Sequence, residues 1–66
     1  MKLVVNGQPR DVSATTVAEL VKEVTGSETG SGIAVAIGED VLTSAEWENP
    51  LVEGAVVEIL TAVQGG

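Results

Sequence analysis

One short amphipathic stripe constrains this chain more than any other feature. Val17, Leu20, Val21 and Val24 recur at i, i+3, i+4 and i+7, the spacing of a single helical face. Glu19, Lys22 and Glu23 occupy the opposite side. Thr16 with Glu19 three residues later fits a capping box, and Gly26 fits the left-handed residue that closes a helix. A helix of about ten residues does not persist in water unless its stripe packs on another surface. The rest of the chain must supply that surface.

The remaining apolar segments read as strands. Met1 to Val5 is a short apolar run closed by Asn6-Gly7, a pair that tolerates positive φ and marks a hairpin. The return strand is expected at about Arg10 to Ser13, with Pro9 at the turn or the strand's start because it cannot donate to a ladder. Ile33 to Ile37 is a continuous apolar run between Gly32 and Gly38, as in a strand buried on part of both faces. Gly38-Glu39-Asp40 turns the chain into a brief strand at Val41-Leu42. Ser44 to Glu48 reads as one helical turn, capped by Ser44, with Trp47 pointing inward and Asn49-Pro50 ending it. After the Glu53-Gly54 turn, Ala55 to Ala62 forms the last strand. Val57, Ile59 and Thr61 fall on one of its faces, and Val56, Glu58, Leu60 and Ala62 on the other.

The order β-β-α-β-(β)-β predicts an α+β fold. Its sheet is mixed, of four to five strands, with one main helix packed on one face. If the first and last strands pair in the middle, the helix joins two hairpin arms, which is the β-grasp (ubiquitin-like) roll. Residues 1–62 form that domain and 63–66 a flexible C-terminal tail. With 66 residues there is room for one domain, whose core supplies roughly 3–5 kcal/mol of net stability.

Composition removes most chemistry. Ten acidic residues against Lys2, Arg10 and Lys22 give a formal charge of −7, which repels phosphate backbones and argues against nucleic-acid binding. The same charge disfavours self-association, so a monomer is expected. There is no cysteine and no histidine, hence no zinc site of the usual kind, disulfide, thiol nucleophile or imidazole base. No metal site, bound cofactor or catalytic residue is assigned, and the chain is not expected to be an enzyme. No apolar run approaches the ~20 residues of a membrane span, and no secretion signal is visible, so a cytoplasmic location is the default. Ser27 to Gly32 has a phosphate-loop flavour but lacks the lysine and following helix of a P-loop, and reads as a plain loop. Trp47 reads as a core plug in a chain with no other aromatic; contact with a partner is the alternative. Leu60 and Val56 share a face with Glu58, and a single helix leaves that face uncovered. An apolar patch is expected there, joined by Ala36 or Val35, as a partner-docking surface.

The chain's last four residues, Val63-Gln64-Gly65-Gly66, serve no strand. Fraying is one account of such an ending. The other is chemical: four residues extend about 13 Å, and without Cβ atoms the glycines pass through a channel that larger residues cannot enter. The Gly66 carboxylate is then an unhindered group that a partner can activate.

These residues resemble the ThiS sulfur carrier family of thiamin biosynthesis, within the ubiquitin-like β-grasp superfamily. The similarity covers essentially the whole chain. It runs through Met1-Lys2-Leu3-Val4-Val5-Asn6-Gly7, Thr16-Val17-Ala18-Glu19-Leu20-Val21 and Ile33-Ala34-Val35-Ala36-Ile37. It continues through Ala45-Glu46-Trp47, Val57-Glu58-Ile59-Leu60 and the closing Thr61-Ala62-Val63-Gln64-Gly65-Gly66. The chain departs from the family at Gly38, where an asparagine is frequent, and at Thr43-Ser44-Ala45, where a basic residue is frequent. The resemblance implies that a ThiF-type enzyme adenylates Gly66 using its own ATP and magnesium. A persulfide donor protein then converts Gly66 to a thiocarboxylate, and a ThiG-type thiazole synthase takes the sulfur. Gly65, Gln64 and Val63 are implied as the thread that enters the partner. Sulfur delivery to another pathway, of the molybdopterin or natural-product type, and protein modification through Gly66 stand as alternatives. A passive interaction module is a third.

Overall fold

The helical stripe folds as its spacing dictates. In the computed structural model, which describes residues 1–26 and 32–61, helix α1 spans Val17–Thr25. Val17, Leu20 and Val21 are buried and Val24 is half-buried, so the apolar face is the packed one. Thr16 is the N-cap, and its Oγ1 accepts the Glu19 N–H at 3.2 Å. The return arm of the expected capping box lands one residue earlier than predicted. The Glu19 carboxylate accepts from the Thr15 N–H and the Thr15 hydroxyl, both at 2.8 Å. The Thr15 N–H first, and its hydroxyl second, hold the Glu19 carboxyl below its ordinary pKa. At the other end Gly26 has φ +76, and its N–H donates to the Lys22 carbonyl at 2.8 Å.

Five strands supply the surface that α1 needs: β1 (Lys2–Val5), β2 (Gln8–Asp11), β3 (Ile33–Ile37), β4 (Asp40–Val41) and β5 (Val56–Thr61). They form one mixed sheet in the order β2-β1-β5-β3-β4. The first and last strands therefore pair in the middle, in parallel, with Val4 opposite Val56 and Val5 opposite Val57. Every other pairing is antiparallel. This is the α+β β-grasp arrangement expected from the element order.

The core lies between α1 and one sheet face. Leu3, Val17, Leu20 and Val57 are fully buried there, and Val5, Val12, Ala14, Val21, Val35, Leu51 and Ile59 are nearly so. Trp47 is half-buried and packs on the edge of this cluster, closing it without being engulfed.

Several boundaries differ from the sequence reading. The return strand is Gln8–Asp11, two residues earlier than Arg10 to Ser13. The Asn6-Gly7 turn, with φ +51 and +83, reverses the chain at once and pairs Gln8 with Val5. Pro9 fits inside β2 because β2 is an edge strand, where a missing N–H need not break the ladder. Val12 and Ala14 then leave the sheet for the core. The 3-10 helix Ser44–Glu48 is capped by Thr43, not Ser44. The Thr43 N–H donates to Glu46 Oε1 at 2.8 Å, and the Glu46 N–H donates to the Thr43 carbonyl at 3.0 Å. The brief fourth strand is Asp40–Val41 rather than Val41-Leu42. Of the loop expected at Ser27 to Gly32, residues 27–31 lie outside the described residues, as does the expected tail at 63–66.

Candidate functional site

The candidate site is organised on β5, the middle strand of the sheet and the one that leads toward the chain's last residues. β5 is held on both flanks. On one side the ladder to β3 is continuous, from Ile37 opposite Val57 to Ile33 opposite Thr61. On the other side β1 ends at Val5, and Asn6 takes over. The Asn6 backbone N–H donates to the Val57 carbonyl at 2.9 Å. Its side-chain amide continues the contact: Nδ2 donates to the Ile59 carbonyl at 3.1 Å, and Oδ1 accepts the Ile59 N–H at 2.7 Å. β5 runs two residues beyond this rung, to Thr61.

The two faces of β5 differ as the alternation predicts. Val57 and Ile59 point at the helix and are buried. Val56, Glu58 and Leu60 lie on the open face, with Val56 50% and Leu60 65% exposed. The register sets their neighbours. Val56 lies beside Val4, Glu58 beside Ala36, and Leu60 beside Ala34; Ala36 in turn lies beside Val41, which is 74% exposed. An open apolar strip interrupted by Glu58 therefore crosses the sheet. Ala36 belongs to it, as one of the two expected options. Val35 does not: it lies opposite Ile59 and is buried on the helix side.

The structure thus brings Val56, Glu58 and Leu60 together on one exposed face. Gly66, Gly65, Gln64 and Val63 lie outside the described residues. An open groove of about 340 Å³ sits beside the β1–β2 turn, lined by Val5, Asn6, Gln8, Pro9, Arg10 and Val24. Arg10 is its one charged lining residue, and the groove offers no acid–base pair. Among the described residues no group of three or more histidine, cysteine or carboxylate side chains is placed to hold a metal ion. Among the same residues no helix is long and apolar enough to cross a membrane.

The contribution of Asn6 was hidden in the sequence. Asn-Gly is fully accounted for by the turn, so nothing local signals a second use of the side chain. The partner strand lies 53 residues away. A faint signal existed: glycine would serve the same turn, and the choice of asparagine adds one donor and one acceptor.

A mixed five-strand sheet with β5 in the middle and α1 on one face is the β-grasp fold of ubiquitin-like proteins. The match to known proteins narrows it. The ThiS family model matches residues 3–66, and the chain belongs to the ThiS family. The sulfur carrier protein ThiS of Thermus thermophilus is 37% identical over 62 residues, covering 92% of this chain and 94% of that protein. The crystal structure of the thiamine biosynthesis protein ThiS from Geobacter metallireducens superposes with a TM-score of 0.77 at 27% identity, over the full length of both chains. A solution structure of a thiamine biosynthesis protein from the same organism gives 0.79 at 27% identity, covering all of this chain and 88% of that one.

Proposed function

We propose that this chain is a sulfur carrier that holds sulfur on the main-chain carboxylate of Gly66 for formation of the thiazole moiety of thiamin. The observation that carries the reading is the extent of the family match, which runs through Gly65 and Gly66. The position of β5 supports it, because this middle strand, held on the β1 side as far as Ile59 and on the β3 side as far as Thr61, precedes those residues in the chain.

The chemistry needs no side chain from this protein. The Gly66 carboxylate attacks the α-phosphorus of ATP on a ThiF-type enzyme, pyrophosphate leaves, and an acyl adenylate forms. The terminal sulfur of a persulfide donor then bonds the acyl carbon and displaces AMP. A thiol reduces the resulting acyl disulfide and releases the thiocarboxylate. A ThiG-type synthase receives that sulfur. ATP and magnesium belong to the adenylating partner, and this chain acts as co-substrate rather than catalyst. Val63, Gln64 and Gly65 are the thread that carries Gly66 into the partner's site, and the two glycines, lacking Cβ, pass where a larger side chain would clash.

The open strip of Val56, Glu58 and Leu60 is the surface by which the adenylating enzyme holds the domain. It lies on the same strand that leads to the reacting end, so docking there brings the thread to the active site. The net charge of −7 favours a partner with a basic rim and raises the association rate.

Incubating the chain with its adenylating enzyme, ATP and a persulfide source, then measuring intact mass, tests the reading. The expected result is an oxygen-for-sulfur gain that disappears when Gly66 is deleted. No gain, or one that survives the deletion, refutes it. Thiol-resistant isopeptide adducts on other proteins would indicate a protein modifier instead.

A further inference from the structure

The β1–β2 turn requires only residues that accept positive φ at positions 6 and 7, and glycine would satisfy both. Asn6 adds a side-chain amide, and both halves of that amide are used on one residue of β5. Nδ2 donates to the Ile59 carbonyl at 3.1 Å, while Oδ1 accepts the Ile59 N–H at 2.7 Å. A carboxamide presents one face with a donor and an acceptor, as a backbone peptide does. It therefore supplies the rung that β1 would provide if it continued. β1 cannot continue, because the chain turns at Gly7. Without this rung the β1 flank of β5 would be unheld beyond Val57, and only β3 would fasten its last residues.

We propose that Asn6 is a positioning residue for the C-terminal segment. Its carboxamide holds β5 at Ile59, two residues before the strand ends at Thr61, and so steadies the root from which the chain continues to Gly66. From Thr61 the five remaining residues reach at most about 18 Å, so the spread of positions open to Gly66 depends on how firmly that root is held. A fixed root leaves less conformational freedom to lose when the end enters a partner enzyme. The inference rests on the reading of Gly66 as the reacting end. It predicts an effect on capture of that end and none on the chemistry after capture.

Two substitutions separate this role from the turn. Asn6→Gly keeps the turn and removes both bonds. Asn6→Asp keeps an acceptor for the Ile59 N–H but sets a carboxylate oxygen against the Ile59 carbonyl. Protonating that carboxyl supplies an O–H donor and restores the pair. The donor to the Ile59 carbonyl exists only in the protonated form, so the rescue appears as pH falls.

The experiment combines amide hydrogen exchange on the free chain with steady-state adenylation by the cognate enzyme, read as pyrophosphate release. In Asn6→Gly the Ile59 amide should exchange about tenfold faster than in the wild type, the loss of one ordinary hydrogen bond. Val57 exchange should not change. The KM for the carrier should rise roughly three- to tenfold while kcat stays within about twofold. In Asn6→Asp, Ile59 exchange measured against wild type at each pH should slow toward the wild-type rate on acidification. Unchanged Ile59 exchange in Asn6→Gly overturns the proposal. So does faster Ile59 exchange with an unchanged KM, which would leave Asn6 a local strand clamp only. A wild-type chain that is never adenylated overturns the reading of Gly66 and the proposal with it. The exchange rates distinguish that failure from a missing rung.

Discussion

The two faces of β5 carry nearly the same residues to opposite ends. Val57 and Ile59 are 0% and 5% exposed, whereas Val56 and Leu60 on the reverse face are 50% and 65% exposed. Side-chain chemistry does not separate a buried valine from an exposed one here. The strand's alternation decides which face each residue joins, and the presence of a single helix decides which face is covered. Among the described residues α1 is the one α-helix, and it covers one sheet face only. The covered face carries the stability, and the open face is available for docking.

The comparison can be tested by treating matched residues alike. Ile59→Ala should have the largest effect. It removes a buried side chain at the cost of about 2–5 kcal/mol, comparable to the whole stability of so small a domain. Denaturant titration should show most of the chain unfolded, or close to it, in water. A mutant that keeps a midpoint near the wild type would break the covered-face account.

Loosening the cover itself should have a smaller effect. Thr16→Ala removes the hydroxyl that caps α1 and should lower stability by about 0.5–2 kcal/mol without changing the sheet. Thermal unfolding followed by circular dichroism would read it. The other half of the cap gives a pH dependence. Glu19 has a folded pKa below its ordinary value because Thr15 donates to its carboxylate. Its contribution is therefore present above the unfolded value and is lost as pH falls through the folded one. The wild type should lose stability on acidification into that range, and Glu19→Gln should show a shallower loss. Equal slopes in the two proteins would remove Glu19 as a source of the pH dependence.

The smallest effect on stability belongs to the open face. Leu60→Ala should shift the unfolding free energy by no more than about 0.5 kcal/mol, because little of the side chain is buried. The same substitution should raise the KM for the carrier in adenylation. A large loss of stability with normal adenylation would reverse the roles assigned to the two faces.

Much of this division could be read from the sequence. The period of Val17, Leu20, Val21 and Val24 identified the helix and its buried face, and Thr16 and Gly26 marked its ends. The period of two along β5, with Glu58 marking the polar side, separated its two faces. The pattern was less informative where it lost contrast. In Ile33 to Ile37 every residue is apolar, so the pattern assigns no parity and allows Val35 on the open face, which it does not join. In the first hairpin Pro9 seemed to delay the return strand, because edge position, which makes proline tolerable, is a property of the sheet. Thr43 and Ser44 are both competent caps, and only backbone geometry chooses between them. The Asn6–Ile59 rung spans 53 residues and appears in no local pattern.

The central claim is that sulfur is carried on the main chain of Gly66. Tandem mass spectrometry of the product formed with the adenylating enzyme, ATP and a persulfide source tests it most directly, because it locates the added sulfur along the chain. The account predicts that every fragment containing Gly66 carries the oxygen-for-sulfur gain and that fragments ending at Gly65 or earlier do not. A gain on any fragment that lacks Gly66, or an unmodified chain after full turnover of the partner, would contradict it.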